Sequence, residues 1–298
     1  MAFLSRLKRA LKAVAHAPAS PVATVLDVHL QLELSRELAR LQSEMRRVMP
    51  ENPAGWGYKV YSQADEDGIL DVICERLKLR SGVFVEIGCG DGRENNTHFL
   101  LLKGWRGVWI DGNAEHMTAV SAALPRSDRL ELIQAFVTRE NVVDLLRPAL
   151  ATLGSIDVLS VDIDSNDLEV AQTTIAAFQP KVIVGEYNAK FPYPLKLAVD
   201  YEPERMWQGD DYQGASLAAW TDGLESAYRL VSCNLAGTNA FFIRSDSIER
   251  FGGYPPEQLY QPARFHLTAL QSGHRPSLTF LANMLRQAPM RSDPSAVN

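Results

Sequence analysis

Cysteine is scarce in this sequence. The three present, Cys74, Cys89 and Cys233, are odd in number and far apart. That pattern excludes a disulfide frame or a zinc knuckle and fits buried thiols in a reducing compartment. Long apolar runs are missing too, and none approaches the roughly 20 residues that cross a bilayer. Positive charge is not in excess: 30 basic residues stand against 36 acidic ones, a net charge of −6, which argues against a nucleic-acid partner. There is no internal repeat and no low-complexity tract. The segment from Met1 to His16 interleaves basic and apolar residues but lacks a long apolar core and a cleavage site. A secretory signal is therefore not expected, and the expected location is cytoplasmic, with or without membrane association. The same segment suits contact with an acidic membrane surface and equally a frayed helical tail.

What is present is ordinary globular material. Of 298 residues, 46% are apolar and 22% charged, enough for one large α/β domain with appendages. The most informative stretch is Val83-Phe-Val-Glu-Ile-Gly-Cys-Gly-Asp-Gly92. Its first five residues read as a short strand buried on both faces. Gly88, Gly90 and Gly92 then permit a sharp turn with positive φ and leave no side chain to keep a ligand away. Asn95 to Leu102 begins with capping residues and continues as a helix whose first amides can face a bound group. The spacing is Gly-x-Gly-x-Gly, not the Gly-x-Gly-x-x-Gly of a dinucleotide fingerprint. A second strand, Gly107-Val-Trp-Ile-Asp-Gly-Asn113, ends in an acid 19 residues after Gly92. That is the distance at which a carboxylate meets the hydroxyls of a ribose. The plain alternative is a glycine turn between packed elements, followed by an ordinary Asp-Gly turn.

Along the chain, a Pro-containing linker at 17–21 precedes a predicted helix at 25–48. Leu34, Leu38, Leu41, Met45 and Val48 form a seam in steps of four and three. The seam serves packing on the parent domain or, as a sharper expectation, a homo-oligomer; Pro50 and Pro53 end the helix. An amphipathic helix is predicted through Leu70, Val72, Ile73 and Leu77. Strands are predicted at 130–135, 156–164 and 181–188, with a helix at 168–178. A hairpin is predicted from Tyr228 to Asn234 and Thr238 to Arg244. Strands alternating with helices imply a parallel sheet with right-handed crossovers.

Glu-x-Gly-x-Gly-x-Gly at 86–92 resembles motif I of the class I S-adenosylmethionine (SAM) methyltransferases. Tyr-Ser-Gln at 61–63, Glu-Asp-Gly at 66–68, Glu-Asn-Asn-Thr at 94–97 and Gly-Trp-Arg-Gly-Val-Trp-Ile-Asp-Gly-Asn at 104–113 are similar to their FkbM-like branch. The resemblance covers residues 58–246. It implies a Rossmann-like, seven-stranded α/β sheet that is mostly parallel and closes with an antiparallel hairpin. Residues 1–50 would be a helical extension, 51–250 the methyltransferase domain and 251–298 a C-terminal extension. It further implies SAM as cofactor, with Gly88, Gly90 and Gly92 under the methionine end and Asp111, Gly112 and Asn113 at the ribose. Ala135 and Phe136 would border the adenine, and Gln63, Glu86 and Asp162 would assist. The acceptor class implied is a hydroxyl of a glycan or natural product.

Two acid clusters fall at strand ends: Asp162-Ile-Asp164-Ser-Asn166 and Glu186-Tyr-Asn188. Residues two apart in a strand share a face, so Asp162 with Asp164, and Glu186 with Asn188, are expected to converge. Such oxygen ligands suit Mg²⁺. The metal-dependent O-methyltransferases resemble this, although Glu186 replaces their usual Asp and Tyr187 separates it from Asn188. Helix capping is the plain alternative for these acids. Without a metal, Asp162, Asp164, Glu186 or His98 would act as base. The long connection 189–214 carries Tyr193, Tyr201, Trp207, Asp210, Asp211 and Tyr212, a mixture of rings and acids that suits a saccharide or simply a shielding lid. A nicotinamide-dependent oxidoreductase and a non-catalytic interaction protein are the rivals from other classes.

Overall fold

The computed structural model describes residues 21–287; Met1 to His16 and the last residues of the C-terminal extension lie outside them. The first element among the described residues is helix α1 (Pro21–Val48). The elements that follow are α2 (Glu66–Arg76), β1 (Val83–Ile87), α3 (His98–Leu102), β2 (Arg106–Asp111), α4 (Ala114–Ala123) and β3 (Leu130–Gln134). Then come α5 (Val142–Leu153), β4 (Val158–Val161), α6 (Asp167–Phe178), β5 (Val182–Glu186) and α7 (Leu217–Leu224). The hairpin β6 (Tyr228–Cys233) and β7 (Asn239–Arg244) precedes two further helices, α8 (Pro256–Leu259) and α9 (Thr279–Gln287).

The strands form one seven-stranded sheet in the order β3-β2-β1-β4-β5-β7-β6. Neighbours from β3 to β5 are parallel, while β7 is antiparallel to both β5 and β6. This is the Rossmann-like sheet with a terminal hairpin that the sequence leads one to expect. Strands β1 and β4 lie in the middle and are buried at every position, which is why both are mostly apolar rather than alternating, with Glu86 and Ser160 as the buried polar exceptions. The order of the strands reverses between β1 and β4, the point at which open α/β sheets leave a crevice outside their carboxyl edge.

Two predicted strands are shorter than expected, with consequences for the site. β4 ends at Val161 and β5 at Glu186, so Asp164 and Asn188 lie beyond the pleat. Asp164 has φ of 63°, a left-handed conformation that breaks the alternation of side chains.

Helix α1 uses its seam on its own domain. Leu34 and Met45 are buried and Leu38 and Leu41 half-buried where α1 packs on the turns Pro53–Trp56 and Phe265–Ala269. Burying each large apolar side chain contributes about 1.5–3 kcal/mol. Val48 points outward, and Met49 is buried in its place. Helix α2 starts in a knot of buried acids. Asp67 gathers the amides of Val60, Tyr61 and Ser62 at 2.7, 2.7 and 2.8 Å. Glu66 accepts from Asn234, Thr238 and Asn239 at 2.7, 3.1 and 3.1 Å, locking the hairpin turn to the start of α2.

Asp65, 1% exposed, accepts from the Leu235 amide at 3.4 Å and from its own amide, while its Oδ1 has no partner among the described residues. Burial and the neighbouring Glu66 push its carboxyl up to about 8. The folded protein therefore holds this proton where the unfolded chain has lost it, and stability falls as pH rises from the ordinary carboxylate range towards 8. Asp65→Asn is expected to stabilise the protein at pH 8 relative to pH 5 by about 1 kcal/mol or more. Urea midpoints at the two pH values measure it, and an unchanged pH dependence in the variant would refute it.

Candidate active site

The site is assembled at the carboxyl edge from β1, β2, β4, β5 and the loops that follow them. The glycine turn comes first. Gly88, Gly90 and Gly92 all have positive φ, at 91°, 58° and 71°. A Cβ on Gly88 would lie 1.8 Å from the Asp162 carbonyl oxygen, whereas one on Gly90 would meet nothing within 4 Å. Gly88 thus lets β1 and the end of β4 close together, and Gly90 faces open space. The Gly90 amide donates to Asp111 Oδ2 at 2.7 Å, and the other Asp111 oxygen accepts from Asn113 N at 2.7 Å. One carboxylate at the end of β2 therefore fixes both the turn after β1 and the entry to α4. Asn113 caps α4 by accepting from Glu115 N and His116 N.

Glu86 lies behind this turn and is fully enclosed. Its carboxylate accepts from Asn95 Nδ2, Asn96 N, Thr97 N and Thr97 Oγ1 at 2.9, 2.7, 3.1 and 2.5 Å. The amides expected to face a bound group are thus taken by an acid of the chain itself. The helix beyond them, α3, spans only five residues. Burial still raises Glu86 to about 7. Thr97 also accepts from Trp109 Nε1 at 2.9 Å, which ties β2 into the same knot.

His98 is buried rather than at the surface. Its ring stacks on Tyr61 with centroids 3.7 Å apart, and Nδ1 lies 2.7 Å from the Gly92 carbonyl. Burial lowers its pKa to about 4, so the ring is neutral and donates from Nδ1. It supports the glycine turn from behind. Cys89 is a buried filler whose thiol burial pushes well up. The side chain of Phe136 is 47% exposed and lies against Gly112, while the Ala135 amide donates to the Asp111 carbonyl at 3.1 Å. Gln63 is half-buried, and its carbonyl accepts from Lys59.

The acid clusters meet, but with a different membership. Asp162, Asp167 and Glu186 each bring a carboxylate oxygen within 4.8 Å of the others. Asp162 is hydrogen-bonded to Glu186, and burial together with mutual repulsion holds both carboxyls well above their ordinary range. Asp167 is also raised, to about 7, although it accepts from Ile163 N and Ser165 N at 2.7 and 2.8 Å. The sequence reading missed Asp167 as a member; an acid at the start of the helix after β4 was its only signal. Asn188 turns away, donating to the Asp211 and Gln213 carbonyls at 3.0 Å each. Gln213, which carries no motif, instead reaches Glu186 Oε2 at 2.8 Å.

The connection 189–214 lies over this edge without a strand or helix of its own. Most of its rings and acids bond within the protein. Tyr201 donates to Glu140 and lies under the Arg139 guanidinium, 3.8 Å from its ring centre. Trp207 donates to the Asp210 carbonyl at 2.7 Å, Tyr212 donates to Asp200 at 3.0 Å, and Asp211 pairs with Lys190. Tyr193 is half-buried at a cis peptide bond to Pro194. The connection is anchored to the acid cluster from below, since Asn166 donates to the Glu202 carbonyl at 2.8 Å.

No protein-family model and no curated protein matches the chain. Solved structures do resemble it in part. The SAM-bound amino pentose methyltransferase CalS10 from Micromonospora echinaspora is 14% identical over 62% of this chain and 92% of that one, with a TM-score of 0.38. The N-terminal domain of EvdMO1, solved in the presence of SAH and D-fucose, is 14% identical over 70% of this chain and 96% of that one, also with a TM-score of 0.38. A SAM-dependent methyltransferase from Mesorhizobium loti is 14% identical over 60% of this chain and all of that one, with a TM-score of 0.36.

The two inner glycines separate folding from binding. Gly88→Ala is expected to cost about 3 kcal/mol or more of stability, because its Cβ has no room and φ is positive. Gly90→Ala should cost only about 1–2 kcal/mol while weakening binding of S-adenosylhomocysteine (SAH) about tenfold or more, by filling the space above the turn. Denaturant titration and calorimetry on both variants check this.

Proposed function

We propose that the chain is a SAM-dependent O-methyltransferase acting on a hydroxyl of a saccharide-type acceptor, with the methyltransferase domain over residues 51–250. The observation that carries the reading is the Asp111 carboxylate holding the Gly90 amide at 2.7 Å beside open space. This cradle, the carboxyl pair across the crevice and the motif I pattern suit the methionine end and ribose of SAM better than a nicotinamide dinucleotide. The residues quoted above favour the FkbM-like branch, from which the glycan-type acceptor follows. A small natural product is the rival acceptor.

Bound SAM supplies an activated methyl group on a sulfonium, so the protein's part is orientation and proton removal. Asp111 would turn towards the ribose hydroxyls while the glycine turn admits the amino-acid end. Asp162 and Glu186 share a proton at the mouth of β4 and β5. With SAM held there, the acceptor hydroxyl would give its proton to this carboxyl pair, and the methyl group it takes up would come from the sulfonium, leaving SAH. Gln213 fixes the Glu186 oxygen that faces it. Tyr193, Tyr201, Trp207 and Tyr212 on the 189–214 connection are the rings that would meet an incoming sugar.

A second reading is favoured by the carboxylate oxygens of Asp162, Asp167 and Glu186, which approach within 4.8 Å of one another. They could hold a divalent cation such as Mg²⁺, which would orient the acceptor oxygen and lower its pKa. Asp167, rather than Asn188, would then be the third ligand.

Calorimetric titration with SAH and NAD tests the cofactor. SAH is expected to bind, NAD to fail, and Asp111→Ala to weaken SAH about tenfold or more, or about 1.4 kcal/mol; NAD affinity without SAH affinity would overturn the assignment. Labelled SAM with a panel of glycans tests the reaction. Glu186→Gln should lower turnover about a hundredfold or more while SAH binding persists. The same assay with EDTA decides the metal, because turnover unchanged by chelation removes that reading.

A further inference from the structure

The turn that follows β3 is a single piece. Asn141 donates from Nδ2 to the Phe136 carbonyl at 2.9 Å and accepts at Oδ1 from the Thr138 amide at 2.8 Å. Arg139 and Glu140 are therefore carried on the same turn as Phe136, whose exposed ring lies against Gly112. The middle of the 189–214 connection is a second piece. The Tyr212 hydroxyl donates to Asp200 Oδ2 at 3.0 Å and accepts from the Asp200 amide at 2.9 Å. Arg205 donates to the Asp200 carbonyl at 3.0 Å, and its guanidinium lies 5.1 Å from the Tyr212 ring centre. Residues 200–212 are thus closed on themselves. The bond from the Val199 amide to the Gly214 carbonyl, at 3.0 Å, marks where they leave the rest of the connection.

The two pieces meet at Tyr201. Its hydroxyl donates to Glu140 and accepts from the Arg139 amide at 3.3 Å, and the Arg139 guanidinium covers its ring at 3.8 Å. The turn after β4 holds the same piece, through Asn166 on the Glu202 carbonyl at 2.8 Å and Ser165 on the Arg205 carbonyl at 3.3 Å. Just beyond the piece, Gln213 reaches Glu186 after β5. In the sheet, β2, β1 and β4 lie between β3 and β5, a span of about 19 Å at one strand spacing per step. Those three strands carry Asp111, the glycine turn and Asp162 at their carboxyl ends. The contacts from Tyr201 to Gln213 therefore join a turn on one side of the cofactor cradle to the carboxyl pair on the other. Elsewhere on this edge buried acids close the turns, but the Arg139 and Glu140 side chains are 51% and 53% exposed. Exposed contacts of this kind are weak, so the join at Tyr201 can release.

We infer that Tyr201 is a positioning residue, which fastens residues 200–212 to the turn bearing Phe136 so that cofactor binding sets the acceptor side of the site. With an adenine resting on Phe136, the turn is held still, and with it the Arg139 and Glu140 that Tyr201 grips. The connection is then fixed, with Gln213 on Glu186, before the acceptor is used. In naming the ligand at Phe136, the inference rests on the methyl-transfer reading.

Tryptic cleavage of the full chain after Arg205 tests it. The Arg205 side chain is 17% exposed, so the protease reaches it when the piece has come away, and the rate follows the unfastened population. Saturating SAH is expected to slow this cleavage about fivefold or more in the wild-type protein. Tyr201→Phe keeps the ring under Arg139, and Glu140→Ala leaves Tyr201 in place. Each should abolish most of that protection, and the two together no more than either alone. Thermal midpoints should be unchanged, and SAH affinity should fall by no more than the protection lost, because the coupling is reciprocal. A Tyr201 that acted only by touching an acceptor would leave Glu140→Ala silent, and that result overturns the inference. SAH binding with cleavage after Arg205 unaltered also overturns it, while leaving the cofactor assignment standing. Absence of SAH binding overturns both.

Discussion

A carboxylate buried near the carboxyl end of the central strand β1 governs the geometry of the edge beside it. Glu86 accepts four donors from Asn95, Asn96 and Thr97, and in doing so draws the chain leaving the glycine turn back against β1. Three of those donors would otherwise be unsatisfied groups in a dry interior, each costing about 1–3 kcal/mol. The position of the turn and the join to Trp109 follow from that one acid. Desolvation keeps Glu86 at about 7 even with four donors, a measure of how enclosed the knot is.

The same device recurs along the edge. Asp67 collects three amides before α2, Asp111 collects those of Gly90 and Asn113, and Asp167 collects those of Ile163 and Ser165. In each case a short turn that leaves its N–H groups unpaired is closed by an acid from the chain, as a bound anion closes a helix start elsewhere. The arrangement makes loops at the mouth of the crevice stiff without disulfides or metal. Stiff loops hold a ligand's partners in place before it arrives, which lowers the entropy lost on binding.

The order of the elements was legible in the sequence because burial speaks plainly there. β1 and β4 are apolar but for Glu86 and Ser160, the glycines mark the turn, and the hairpin is bounded by polar residues. The seam of α1 was legible as well, but not its partner, since periodicity says which face is buried and not against what. The site was legible only in part. Asp162 and Glu186 stand at strand ends, where their convergence follows from the topology. Their third neighbour did not follow, because β4 stops at Val161 and the left-handed turn at Asp164 replaces one acid by another, Asp167. Gln213 reaches Glu186 across 27 residues of irregular chain, a contact that no local pattern encodes. His98 read as a candidate base because nothing local to a His at a helix start announces its burial. Only the stacking of Tyr61, brought in from another segment, closes it off.

These bonds also sort the acids by purpose. An acid that meets backbone amides is holding a turn, and its proton is of little use to chemistry, because moving it would loosen the turn. Asp67, Glu86, Asp111 and Asp167 are of this kind. Among the described residues, Asp162 and Glu186 are met by each other and by the Gln213 side chain instead. With no amides to offset burial, both are raised well above the ordinary range, and a pair in that state can gain or release one proton without disturbing a loop. The acids that hold the turns and the acids that can pass a proton are therefore different residues, distinguished by what each carboxylate touches.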